Sequence, residues 1–124
     1  MGFLDKWQPQ LLSVLRIMSG LLFLEHGLSK AIGWPMAFPG KMMPLVMVAC
    51  AIEIVGSVLV TLGLFSRYAA FIMSGEMAVA YFMVHVPKGG FYPILNGGDA
   101  PILFCFVFLY IAAAGPGPWS LNKS

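Results

Sequence analysis

The sequence predicts an all-α integral membrane protein built as a bundle of four transmembrane helices. Three observations predict it. Hydrophobic residues make up 60% of the 124-residue chain and charged residues only 10%, whereas a soluble domain carries about 25% charged residues. The apolar residues gather into four runs, each close to the roughly 20 residues that a helix needs to cross a bilayer. Two of the three connections between the runs are rich in Gly and Pro, and tryptophans stand before the first run, after it and after the fourth, as expected near a membrane interface. Four spans of that length leave room for a single domain over residues 1–124.

The first span covers about residues 11–30, the second 43–65, the third 67–86 and the fourth 100–115. Each is too long and too uniformly apolar for a strand, and in lipid the backbone must satisfy its hydrogen bonds within its own helix. The fourth is the shortest. Trp7 precedes the first span, Trp34 follows it and Trp119 follows the fourth; amphipathic rings favour headgroup depth, and Tyr68 and Tyr92 fit the same belts. A tight turn around Leu64–Arg67 joins spans two and three, while Ala31–Met42 and Pro87–Asp99 form longer loops. An even number of spans puts both termini on the side of the tight turn. Lys6, Arg67 and Lys123 fall on that side, and Lys30, Lys41 and Lys88 on the other. Arg16, snorkelling toward the terminal side, tips the balance toward cytoplasmic termini in a bacterial inner membrane. The N-terminal MGFLDKWQPQ has no charged leader region or small-residue cleavage site, so no removable signal is expected.

Net charge is +2 with no basic cluster, so nucleic acid is not an expected partner; membrane lipids are. The informative residues are ionisable ones inside the apolar runs, where a charge costs roughly 2.5–3.5 kcal/mol even on lenient scales. Arg16, Glu25 and His26 lie in span one, Glu53 in span two and Glu76 in span three, with Lys30, His85 and Asp99 at span ends. By helical rise, Glu53 and Glu76 fall near the midplane and most of the others toward the long loops. A pocket open toward those loops and floored by the two glutamates is the expected construction.

Helical periodicity sorts these residues by face. Arg16, Gly20, Phe23 and Gly27 share one face of span one. Ala49, Glu53, Gly56, Val60 and Gly63 share one face of span two. Glu76 shares a face with Ala69, Met73 and Ala80. Small residues let helices approach closely in membranes, so these faces should point inward. Glu25 lies nearly opposite Arg16 and should point outward. An ion pair of Arg16 with Glu53 or Glu76 is one expectation, as structural glue or as part of a site. Cys50 and Cys105 read as small core residues, and they would approach each other only if spans two and four were neighbours. Without a CxxC or HxxxH spacing no metal is expected.

Several segments together resemble one family. They are Glu25-His26-Gly27-Leu28-Ser29-Lys30, Ala51–Gly56 around Glu53, the Leu62–Arg67 turn, Gly75–Phe82 with His85, Asn96-Gly97-Gly98-Asp99, and Gly115–Leu121. The chain resembles the DoxX family of bacterial and archaeal membrane proteins over nearly its whole length. It departs at Asp99, where the family often has Glu, and at Asn122, where it often has Asp. The resemblance implies a small four-helix subunit linked to redox enzymes, in a family named from a subunit of a thiosulfate:quinone oxidoreductase.

Three functions follow as expectations. The first is a membrane subunit of a quinone-linked redox system. There His26 or His85 contacts the quinone, and Arg16, His26, Lys30, Glu53, Glu76, His85 and Asp99 supply polar or proton-handling groups. The chain has no Rossmann glycine motif, haem-attachment motif or iron–sulfur cysteine set, so electrons would come from a partner enzyme. No covalently bound cofactor is expected; quinone is the expected small molecule. The second is a non-catalytic scaffold or assembly protein, and the third a small-solute or proton-linked transporter, each open to homo-oligomerisation.

Overall fold

A computed structural model of the chain describes residues 1–38 and 43–124; Lys41 and the end of the first long loop lie outside the described residues. A short helix α1 (Gly2–Asp5) leads into α2 (Gln8–Ile32). Then come α3 (Pro44–Leu62) and α4 (Ser66–Gly89), the latter passing through a π-helical turn at Tyr81–His85. The one-turn α5 (Pro93–Asn96) and the last helix α6 (Asp99–Ala114) follow. Every element among the described residues is helical or irregular. The long helices begin and end within a few residues of the spans read from the sequence. Proline opens α3 and α5, where its missing N–H costs nothing.

Three helices, α2, α3 and α4, are long and apolar enough to cross a membrane by length and composition. The fourth, α6, is apolar but has 16 residues, which spans about 24 Å at 1.5 Å per residue. In the bundle α2 packs along α3, α3 against α4 and α4 along α6, while α2 and α6 touch more lightly. This cyclic order places α3 and α6 diagonally.

The faces read from periodicity are the faces that pack. Arg16, Gly20, Phe23 and Gly27 are all buried, as are Glu53, Gly56, Val60 and Gly63, and Ala69 with Met73. Phe23, Val60, Met73, Phe108 and Ile111 form the centre of the apolar core. The opposite faces are unusually apolar for a protein exterior: Phe71, Val55, Leu103 and Phe106 are among the many large side chains more than half exposed. Such a surface suits lipid rather than water. At Gly27 a Cβ would fall 3.1 Å from Cβ of Glu53 and 2.8 Å from the side chain of Ile54. The absence of a side chain there is what lets α2 lie against the glutamate on α3.

After α6 the chain does not leave the bundle. Residues 115–124 run back across the ends of α2, α3 and α4 as a strap. Leu121 N–H donates to the Leu62 carbonyl at 3.2 Å and Asn122 N–H to that of Gly63 at 3.0 Å. Phe65, held at φ 50, donates its N–H to Oδ1 of Asn122 at 3.0 Å. Gly63, at φ 71, ends α3 in a left-handed cap and lies directly under Ser120.

One expectation is corrected. Arg16 neither snorkels to the headgroups nor pairs with Glu53 or Glu76. It is fully buried and donates to the carbonyls of Pro116 and, at 2.5 Å, Trp119. The strap delivers carbonyl oxygens to the guanidinium before any carboxylate can, because both glutamates lie farther along the bundle. Cys50 and Cys105 do not meet. Cys50 donates across to the Gly27 carbonyl on α2, at 3.5 Å, and Cys105 lies beside Ser74 on α4, so each thiol is free. Diagonal placement of α3 and α6 keeps them apart.

Candidate functional site

The polar core of the bundle is built from three residues on three helices. Glu53 stands at the midpoint of α3 and is 1% exposed. Lys30, near the end of α2, reaches in to place Nζ 2.7 Å from Oε1 of Glu53. The Lys30 ammonium also sits 5.6 Å over the ring of Phe38, a cation–π contact that helps compensate lost hydration. From α4 Glu76 comes close enough to Glu53 and Lys30 for the three ionisable groups to act on one another. Oε1 of Glu76 is buried without a hydrogen-bond partner. Ser57, one turn beyond Glu53, donates to the Glu53 carbonyl. Two carboxyls and one ammonium therefore share a site about 15 Å along α4 from its start.

The histidines occupy different surroundings. His26 is exposed on the outside of the bundle, not in an interior pocket. Its ring lies edge-on to Phe104 of α6 at 5.7 Å and near Phe23 at 6.1 Å, where α2 and α6 pack most lightly. Nδ1 of His26 lies 3.1 Å from the Leu22 carbonyl. A carbonyl can only accept, so in the neutral ring Nδ1 holds the proton and Nε2 keeps a free lone pair. His85, on the π-helical turn, makes the same kind of bond to the Asn96 carbonyl at 3.2 Å and stacks on Tyr81.

Around His85 the second long loop is closed by a network. Asn96, buried, donates from Nδ2 to the Gly90 carbonyl at 2.7 Å and to the Tyr81 hydroxyl at 3.2 Å. Its Oδ1 accepts from Gly98 N–H at 2.8 Å, and the Tyr81 hydroxyl donates to the Phe91 carbonyl. Glu25 and Asp99 are exposed, and Asp99 sits in the first turn of α6, where a carboxylate complements the helix dipole. The seven candidates thus separate into the Lys30–Glu53–Glu76 cluster, an exposed His26, a loop-bound His85, an exposed Asp99 and an Arg16 bound by the strap.

Comparison with known proteins bears on the whole arrangement. The DoxX family model matches residues 11–86, from the first turns of α2 to the π-helical turn of α4. The chain belongs to the DoxX family. A relative in Haemophilus influenzae, an uncharacterized protein, is 44% identical over 99% of this chain and 96% of its own length. An uncharacterized membrane protein of Mycobacterium tuberculosis is 26% identical over 93% of this chain and 81% of its own. No solved structure matches the chain. The matched DoxX segment contains the entire Lys30–Glu53–Glu76 cluster and His26, while the strap that holds Arg16 lies beyond it.

Sequence reasoning missed the polar partners that are not ionisable. Ser13, whose Oγ donates to the Pro116 carbonyl and accepts Trp119 N–H, is one. Asn96 is another. Ser13 was open to detection, since it stands one turn before Arg16 on the inward face; Asn96 looked like any residue of an Asn-Gly-Gly turn.

Proposed function

We propose that this DoxX protein is a four-span subunit of a quinone-linked redox system in a bacterial inner membrane, and that its Lys30–Glu53–Glu76 cluster exchanges a proton. The observation that carries the reading is the buried Lys30–Glu53 pair with Glu76 beside it, lacking a partner for Oε1. If both carboxyls were ionised the site would hold a net negative charge in the middle of an apolar bundle. One proton retained between them makes it neutral, which the bilayer interior favours. A site that is neutral with one shared proton and charged without it can take up and release that proton.

Quinone is the substrate the surroundings suit. Reduction to quinol takes two electrons and two protons; the electrons come from a partner enzyme, since the chain has no motif for a redox centre of its own. His26, flanked by Phe23 and Phe104 and open to lipid, offers Nε2 to a quinol hydroxyl, or as imidazolium donates to a quinone oxygen. Aromatic rings beside one polar atom are the kinds of group that contact such a ligand. His26 and Lys30 stand one helical turn apart on α2.

The test is partner-dependent quinone reduction in membranes carrying Glu53→Gln. Loss of roughly two orders of magnitude with normal assembly is the expected result for a group moving a proton. Unchanged turnover would favour a scaffold, a reading that the way Lys30–Glu53 ties α2 to α3 also supports.

A further inference from the structure

Away from the polar core, the terminal end of the bundle carries a groove of about 500 Å³ between α4, α6 and the strap. Its mouth is cationic: Arg67 at the start of α4 and Lys123 on the strap both line it, and no acidic side chain does among the described residues. Its wall is apolar: Phe71 and Ile72, both more than half exposed, stand with Ala112 below the mouth. They lie four and five residues beyond Arg67, about 6–8 Å deeper along the helix. Tyr68, at the lip, is an interface residue by type.

The two cations are held in place but not used up. Arg67 donates from Nε to the Ala112 carbonyl at 3.0 Å and from Nη2 to the Ala113 carbonyl at 2.7 Å, capping the end of α6. A guanidinium has five N–H donors, so Nη1 remains free to bind. Lys123 donates to the Gly117 carbonyl at 3.0 Å and to Ser120 Oγ at 3.2 Å, leaving one of its three donors. Ser124 contributes a backbone oxygen that is already engaged by the Arg67 backbone N–H at 3.0 Å.

We propose that this groove binds the headgroup of an anionic phospholipid between Arg67 and Lys123, with an acyl chain lying along Phe71 and Ile72. A cationic mouth above an apolar wall is complementary to an amphiphile with a negative head. A zwitterionic head brings its own ammonium to a site that already holds two positive charges. A water-soluble phosphate leaves the apolar wall unused. The site is separate from the Lys30–Glu53–Glu76 cluster and does not depend on the redox reading.

Native mass spectrometry of the full chain in a neutral detergent tests it, with phosphatidylglycerol and phosphatidylcholine of identical acyl chains as probes. At roughly fivefold per cation, phosphatidylglycerol binds about 25-fold tighter than phosphatidylcholine. Lys123→Gln reduces that ratio roughly fivefold, and adding Arg67→Gln brings it near parity. Lys6→Gln, which removes a terminal-side cation outside the groove, leaves the ratio unchanged. If Arg67→Gln does not fold, Lys123→Gln alone decides. Equal binding of the two lipids by the unmodified chain overturns the proposal, as does a ratio that survives Lys123→Gln. Displacement of phosphatidylglycerol by an equal concentration of glycerol phosphate also overturns it, since that would make the site one for a free anion.

Discussion

The Lys30 ammonium and the Glu53 carboxylate meet at 2.7 Å with the carboxylate 1% exposed. Breaking such a pair from one side strands a charge. Lys30→Met is therefore expected to destabilise the bundle by about 3–5 kcal/mol, and Lys30→Met with Glu53→Gln to recover most of that loss. Unfolding in mixed micelles measures both, and a double variant as unstable as the single one would show that Glu53 is not the residue Lys30 serves. The inward position of Glu53 and Glu76 was legible in the sequence, because a carboxylate in an apolar run has nowhere else to go. The outward position of Glu25 followed from its angle to Arg16. The partner of Arg16 was not legible. It consists of main-chain oxygens from a segment 100 residues away, and backbone carbonyls look alike in any sequence.

At the scale of elements, α2 and α3 are joined by the close approach at Gly27. A Cβ there would also lie 3.1 Å from the backbone nitrogen of Ile54, which cannot swing aside. Gly27→Val is expected to push the helices apart, lengthen the Lys30–Glu53 contact and lower the melting temperature by several degrees, in line with an overpacking cost of about 1–3 kcal/mol. An unchanged melting temperature would contradict the packing described. The strap is the second such element. Deleting residues 116–124 removes the acceptors of the Arg16 guanidinium, and the truncated chain is expected to fall to a small fraction of its normal membrane level. Arg16→Met should restore much of that level, whereas a strap needed only for lipid contact would gain nothing from it. Helix positions and faces could be read from periodicity because packing follows it. The π-helical turn at Tyr81–His85 and the strap could not, since each is set by what lies across from it: Asn96 for the first, Ser13 and Arg16 for the second.

For the whole molecule, the cyclic order of α2, α3, α4 and α6 has a direct chemical test. Cys50 faces Gly27 on α2 and Cys105 faces Ser74 on α4. Mild oxidation of the monomer in membranes is therefore expected to form no internal disulfide, and denaturation with a maleimide should add two labels per chain. A single crosslinked species would mean that α3 and α6 are neighbours. The same arrangement governs how the protein is made. Arg16 emerges from the ribosome 100 residues before Pro116, an interval of about 5–20 s at usual translation rates. Throughout that time the first helix carries a guanidinium whose final acceptors do not yet exist. Water at the insertion channel or another protein must shelter it until the strap is made. Synthesis of the strap is then also the moment at which the first long helix becomes stable, so a ribosome that stops before it leaves a product marked for removal by its own arginine.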